Sequence, residues 1–539
     1  MASSPAPPSA SSRAGQLTFF VVVLVPLLAA TAGWFVSPPI LNPDSASGFA
    51  IWESARHGAP WNSVLIPESA DISRDRAVFV TWWSPGQYVV PGWWRYAGFS
   101  WGQAMLLTTL FGLWIQAGGC WWLARSVGLT STAAAWLTLA ATLQWHSLQQ
   151  FGHFRGGEVL IEAAAPWLLG IAWTLRRHPV TTLAVFPLLV AGSLWLKLSA
   201  LLLLVPVLGG LALIHGWPFR DRPQARLVWS LAFVALAAVT WWGLHTIFFG
   251  RGPTPATGPA NVEQRSALAA FSIFSPWLAA TGLGSLVGRI SWWLGVDGET
   301  FWRTNAWPTF AAGAAAWWAG WYRWIRPLEA PLRRAVMWVL VANVILLAVL
   351  YVRGSSISLE DRHLRPVATL LLLAGAVAAT QASTPRARRL SQAALVLIAA
   401  FGVGAAVQRG FAMARMDSRG TAGYCQQQFS AAAIAHLNRL DRSVPDRQAL
   451  IYFPSTEIAF EISRQRRLGT DDISRDLATV RAHRWHGRVP RLIVVVRNDM
   501  QLDGRVAAVR AAFADYPAGV WRSEAVGGWW FWIADQPAA

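Results

Sequence analysis

A carboxylate, Asp44, stands just past the first long apolar segment of the chain, in the run LNPDSASGFAIWESARHGAPWN. An acid where a chain leaves a membrane adds little to an apolar core. At a membrane surface it can act as a general base that takes a proton from a hydroxyl or an amine. Its structural reading is a helix N-cap, because Asp after a Pro-containing turn starts helices well. The two roles are compatible. Glu158 and Glu162 are four residues apart at the start of a later apolar run, hence on one helical face. Acids so placed face a bundle interior or a wet cavity. There they either pair locally with His153 and Arg155, or Glu158 serves as a second acid in support of Asp44. Lys197 interrupts apolar sequence between two spans. A charge at the bilayer centre costs about 2.5–3.5 kcal/mol, so Lys197 either snorkels to the interface or offers a point charge to a phosphate. Arg362, His363 and Arg365 precede a further span, and a planar guanidinium fork suits phosphate oxygens. Simple interfacial anchoring is the alternative. Arg353 could assist, and Glu360 and Asp361 either compete with Glu158 or pair with neighbouring arginines.

Groups of this kind need rigid elements at a bilayer surface. Only 13% of the 539 residues are charged and mean hydropathy is +0.36, whereas soluble domains carry about 25% charged residues. At about 20 apolar residues per span, segments near 17–36, 103–124, 130–148, 159–175, 180–196, 198–214, 227–249, 306–325, 335–352, 366–383 and 390–408 make about eleven spans. The 35 Trp residues fit interfacial belts.

The formal charge of +18 would suggest nucleic acid in a soluble protein. Here the basic residues fall in short clusters between apolar segments, and alternate loops carry Arg125, then Arg176 and Arg177, then Arg220, Arg222 and Arg226, then Arg323, Arg326, Arg333 and Arg334, then Arg386, Arg388 and Arg389. No compact basic face can be assembled from them, so they mark topology and not a nucleic-acid surface. The positive-inside rule makes those loops and the N-terminus cytoplasmic. Asp44, the loop 37–102, the turn from His153 to Glu158, Lys197, the loop 250–305 and the turn 353–365 then share the outer face. Ala30-Thr31-Ala32 resembles a signal-peptidase site. The apolar stretch from Leu17 to Val36 exceeds a usual signal core, however, and reads as an uncleaved span. Cys120 and Cys425 are not expected to bridge, and no metal-ligand spacing is legible.

Beyond residue 410 the pattern changes. Apolar runs from Ala449 to Phe453, Arg491 to Val496 and Trp529 to Ile533 alternate with amphipathic stretches at 428–440 and 503–514. That is a small α/β domain of about 120 residues. The expected architecture is a polytopic α-helical membrane domain over 1–410, with a large first outer loop, and a soluble extracytoplasmic domain over 411–539.

The outer loop carries an amphipathic helix at 45–57, the turn Gly58-Ala59-Pro60-Trp61-Asn62, and the aromatic run Trp82-Trp83-Ser84-Pro85-Gly86-Gln87-Tyr88 leading to Pro91-Gly92-Trp93-Trp94. Farther on come Leu196-Lys197-Leu198-Ser199-Ala200-Leu201 and Arg362-His363-Leu364-Arg365-Pro366. In this order of patterns the chain resembles the GT-C superfamily of membrane glycosyltransferases, of the protein O-mannosyltransferase and lipid A aminoarabinose transferase type. The resemblance covers about the first 410 residues, with His363 where the family more often shows Tyr. It implies an inverting transferase that uses a polyprenyl-phosphate-linked sugar and an extracytoplasmic lipid, glycan or protein acceptor; high Arg, Ala and Trp with little Lys suggests a bacterial chain, hence an inner membrane. Asp44 would be the catalytic base, and Glu158 would contact sugar hydroxyls or support it. Lys197, Arg362, Arg365 and His363 would bind the lipid phosphate. Many relatives pair two acids at the first position, whereas here Asp44 is followed by Ser45, which leaves a divalent cation open. The alternative is a non-enzymatic carrier or flippase of lipid-linked saccharides. Such a carrier would show repeated halves and ionisable groups near mid-membrane; here the polar groups gather at one face and no repeat is apparent.

Overall fold

In a computed structural model of the chain, residues 10–80, 84–216, 221–249, 268–296, 298–353, 361–415, 419–469, 481–502 and 504–536 are described. Trp82, Trp83, Arg220 and Glu360 lie outside them.

The apolar segments form helices, because in hydrocarbon the backbone can satisfy its hydrogen bonds only within the segment or in a closed barrel. In order come α1 (Ala10–Phe35), α2 (Pro43–Arg56), α3 (Gly86–Tyr96), α4 (Trp101–Ser126), α5 (Ser131–Leu143), the single turn α6 (Trp145–Leu148), α7 (Gly157–Leu175), α8 (Pro179–Leu196), α9 (Leu201–Gly216) and α10 (Pro223–Leu244). Further helices cover Ala269–Thr281, Ala306–Gly320, Ala330–Val352, Arg365–Gln381 and Pro385–Ala414. Eight helical stretches among the described residues are long and apolar enough to cross a membrane. The other three expected spans are shorter as apolar helices, at Phe20–Phe35, Ser131–Leu143 and Ala306–Gly320.

The chain divides into two compact units. The first, the membrane unit, holds Met1–Thr31, Thr108–Phe151 and Gly157–Arg409; the second holds Ala32–Leu107, Gly152–Gly156 and Gly410–Ala539.

At the centre of the membrane unit stands the helix Arg365–Gln381. Its span is 89% buried, against 6% for the span Pro223–Phe248, so its Ala, Val and Leu residues are covered on all sides as a core helix requires. It packs on α5, α7 and the helix Ala269–Thr281. That last helix corrects the reading of 250–305 as an outer loop. Thirteen residues with an internal Pro276 are too few for a full span, but a helix sheathed by protein need not match the bilayer. Phe271, Leu278, Ala279 and Ala280 are buried in the same core. The segment 130–148 is also not one span. Thr130 caps α5, and the extended backbone of Gln144 (ψ 157°) ends it before α6 begins.

The second unit is built on a five-stranded sheet in the order β6–β5–β7–β9–β8, with β5 (Ala449–Phe453), β6 (Arg466–Gly469) and β7 (Arg491–Arg497) parallel and β8 (Trp521–Val526) and β9 (Trp529–Asp535) antiparallel. Successive β7 residues point to opposite faces. Leu492, Val494 and Val496 pack with Val506, Val509 and Phe513, while Ile493 and Val495 pack with Ile434, Leu437 and Phe531. Both faces are covered, which is why β7 reads as an unbroken apolar run. Ahead of this sheet in sequence, β2 (Ser63–Pro67) pairs with β3 (Asp75–Phe79) as a hairpin. A short parallel pair joins β1 (Ile40–Leu41) to β4 (His153–Phe154). Gly92 lets α3 approach α2, since a Cβ there would stand 2.4 Å from the Trp52 ring.

Candidate functional site: a charged cluster and the first turn of α2

Helix ends and first turns in the membrane unit bring its charges together. α8 ends at Lys197, whose extended backbone (φ −163°, ψ 133°) is the C-cap, before a tight turn leads into α9. Glu158 lies in the first turn of α7, where the helix dipole favours a carboxylate. Its two oxygens are taken by two cations: Lys197 Nζ donates to Oε2 at 3.0 Å, and Arg362 Nη1 lies 3.3 Å from Oε1. One turn further along α7, Glu162 accepts from Arg365 Nη1 at 3.4 Å. The i, i+4 spacing of the acids therefore places both on the cationic side.

Arg362 and His363 belong to the turn Asp361–Leu364, and Arg365 opens the buried helix that follows, with Pro366 in its first turn. A cation at a helix N-terminus opposes the dipole, and three groups compensate Arg365. Glu162 is one. Asp361 Oδ1 stands 4.0 Å from Nη2. The Gln149 amide, turned with its oxygen inward, accepts from Nη1 and Nη2 at 3.0 Å each. Asp361 Oδ2 also meets His146 Nε2 at 2.8 Å. Gly284 is required beside it, because a Cβ there would lie 2.3 Å from Asp361 Oδ2.

Depth separates these groups. Glu158, Glu162 and Arg365 are 3%, 5% and 3% exposed, whereas the side chains of Lys197 and Arg362 keep 13% and 16%. The cluster thus has a sealed inner half and a rim. Three acids (Glu158, Glu162, Asp361) stand against three cations (Lys197, Arg362, Arg365).

In the second unit, Asp44 lies in the first turn of α2, exposed. It is not the cap. Asn42 caps the helix by accepting from Asp44 N at 2.9 Å, with Pro43 at the first helical position. The Asp44 carboxylate is therefore spared the capping role that the sequence suggested. The start of α2 is fixed by the β1–β4 pair, by Asn42 N donating to Phe154 O at 3.2 Å, and by a 3.4 Å contact between Asn42 Nδ2 and His153 Nε2.

Of the residues that stand out in the sequence, Glu158, Lys197, Arg362 and Arg365 come together in one cluster, with His363 half-buried in the same turn as Arg362. Asp44 belongs to the other unit. His146 and Gln149 do not stand out in the sequence. The signal for them is the polar run Gln144-Trp145-His146-Ser147-Leu148-Gln149-Gln150, which reads as the fading end of a span. Among the described residues, no group of three or more His, Cys, Asp or Glu is placed to hold a metal ion.

Membrane-length helices around a buried charged cluster, with an α/β sheet near the C-terminal end of the chain, describe a polytopic α-helical membrane fold with a small sheet domain. The chain is similar in structure to ArnT from Cupriavidus metallidurans in the apo state, at TM-score 0.52 and 13% identity over 97% of this chain and 98% of that one. It is similar also to ArnT from the same organism bound to undecaprenyl phosphate, at TM-score 0.51 and 11% identity over the same shares. A third similar structure is the arabinofuranosyltransferase AftD from Mycobacteria, at TM-score 0.52 and 14% identity. There the match spans 97% of this chain but 40% of that protein. No family model and no curated protein matches the sequence.

Proposed function

We propose that the chain is an inverting glycosyltransferase that moves a sugar from a polyprenyl-phosphate carrier to an extracytoplasmic lipid, glycan or protein. The observation that carries this reading is the rim of the cluster. Lys197 and Arg362 converge on the single carboxylate of Glu158 and remain partly open. Two cations held in place with an accessible side suit a phosphate. The fold adds support, and one similar structure is bound to undecaprenyl phosphate. The alternation of arginine-rich loops supports a reading in which the protein crosses a bacterial plasma membrane with its N-terminus inside, and Asp44 and the C-terminal sheet outside.

In the transfer, the acceptor oxygen or nitrogen attacks the anomeric carbon while the bond from that carbon to the phosphate oxygen breaks. The bonding pair leaves with the polyprenyl phosphate, and the acceptor proton passes to Asp44 as base. The phosphate gains negative charge as it departs. Cations touching it therefore bind the transition state more tightly than the bound donor, which is what accelerates the step. Lys197 and Arg362, with His363 in the same turn, are assigned to that phosphate. Glu158 is assigned a positioning role, since it orients both cations. Arg365, sealed between Glu162 and Asp361, acts through them.

Transfer of radiolabelled sugar from polyprenyl-phosphate donors in proteoliposomes tests the proposal. Asp44→Asn is expected to lower transfer about 10²–10⁴-fold with donor binding retained. Undiminished transfer in Asp44→Asn would remove Asp44 from the chemistry. Lipid-linked sugar crossing the bilayer with no transfer would make the protein a carrier.

A further inference from the structure

The second unit contains a cavity of about 220 Å³ that none of the chemistry above uses. One wall is a single face of α2, with Ser47, Ala50, Ser54 and His57 at helical spacing. Val64, Leu65 and Ile66 of the hairpin form a second, apolar wall. Phe460 and the β6 residues Arg466, Arg467 and Leu468 close the remaining side. Ligand sites for drug-sized molecules run to about 300–1,000 Å³, so this cavity suits one ring and not a lipid chain.

Its charges are unevenly matched. Asp75 holds two arginines at once: Arg466 Nε donates to it at 3.0 Å and Arg447 Nη2 at 2.6 Å. Arg466 is fixed further by donating to Ile72 O at 2.7 Å and Arg74 O at 2.9 Å. Glu53 is engaged elsewhere, by Arg56 at 3.2 Å, Arg95 at 3.8 Å and the Trp101 Nε1 donor at 3.1 Å. Arg467 is different. Its Nη1 donates to Ala459 O at 3.3 Å, and its guanidinium centre lies 5.3 Å from the Phe460 ring centroid. Among the described residues no carboxylate makes an ion pair with it. Glu53 and Asp441 favour its charge only through space, and a guanidinium with five donors and no direct carboxylate partner among the described residues can take an anion. The Phe460 ring attracts the charge through its face without occupying an N–H donor.

We infer that this cavity binds a sugar-sized oxyanion, a uronate or a sugar phosphate, with its charged oxygens on Arg467 and Arg447 and its ring between α2 and the apolar wall. Both candidate ligands share an oxyanion on a polyhydroxylated ring. The Ser47 and Ser54 hydroxyls can meet ring hydroxyls, and Leu65 and Leu468 can meet a sugar C–H face. Ser47 follows Asp44 by three residues on α2, which makes the bound sugar a candidate acceptor. That extension rests on the proposed function; the binding itself does not.

Calorimetric titration of the full chain in detergent, with no donor present, tests the inference with three probes: glucuronate, glucose 6-phosphate and neutral glucose. At least one anion is expected to saturate, with glucose at least about tenfold weaker, as for the loss of one charge-assisted contact. Saturation by glucuronate alone identifies a uronate site, and by glucose 6-phosphate alone a sugar-phosphate site. Arg467→Gln is expected to weaken the anion about tenfold, while Arg464→Gln, an exposed arginine paired with Asp446 outside the cavity, leaves it unchanged. Thermal unfolding without ligand establishes that Arg467→Gln is folded. Should it not fold, Arg467→Lys keeps the charge, loses the fork, and is expected to bind the anions more weakly than wild type. Glucose binding as well as the anions, no saturation by about 10 mM, or wild-type affinity in the folded Arg467 variant would overturn the inference. Because turnover is not measured, failure here is separate from failure of the transferase reading.

Discussion

The charged cluster of the membrane unit and the arginine cavity of the second unit both hold guanidinium groups on carboxylates, but they balance them differently. In the cluster each cation has an acid, and the most buried arginine, Arg365, has Glu162 and Asp361 as well as Gln149. In the cavity Asp75 serves two arginines, as Glu158 serves Lys197 and Arg362, but Arg467 has no direct carboxylate partner among the described residues and relies on a carbonyl and an aromatic ring. A compensated cluster can sit among apolar helices, where an isolated charge would cost several kcal/mol. At the less sealed cavity a cation whose nearest carboxylates, Glu53 and Asp441, act only through space is tolerable, and its donors suit the proposed anionic ligand. Burial therefore separates arginines that hold the structure from arginines that can hold something else.

The largest expected effect comes from the sealed half of the cluster. Arg365→Ala leaves Glu162 uncompensated and is expected to cost about 3–5 kcal/mol, read as a lowered unfolding temperature in detergent. Arg466→Ala should cost less, about 1–3 kcal/mol, because Asp75 keeps Arg447. Equal losses would erase the distinction between the two regions.

The smallest effect concerns His57, the C-cap of α2. Its pKa is held below 6.5, first by partial burial and then by Arg447 and Arg467, while Glu53 pulls the other way. A lowered histidine gives stability that is full above 6.5 and is lost as pH falls through the folded-state value. Arg467→Gln removes one of the opposing cations. The His57 titration, followed by NMR, is then expected to move up toward 6.5, and an unmoved value would break the proposed coupling across the cavity.

Much of this was legible in the sequence for a physical reason. Lys197, Arg362, Arg365, Glu158 and Glu162 stand out because charges among apolar residues are costly and therefore conspicuous. Which acid meets which cation was not legible. That depends on the break at Gln144, which brings His146 and Gln149 to Asp361 and Arg365. In the sheet, β5, β7 and β9 announce themselves as apolar runs. β6 and β8 do not, because edge strands carry charges such as Arg466, Arg467, Arg522 and Glu524. The helix Ala269–Thr281 was hidden by its length. Arg467 was hidden by its neighbours, since nothing in Arg464-Gln465-Arg466-Arg467 says which arginine makes no direct ion pair among the described residues.

The central claim is that the rim of the cluster holds a lipid phosphate, and the most direct test is the affinity of the purified full chain for polyprenyl phosphate. Lys197→Ala leaves Glu158 paired with Arg362, so the protein should fold, and the account predicts about tenfold weaker binding. Unchanged affinity in Lys197→Ala and in Arg362→Gln alike would contradict it.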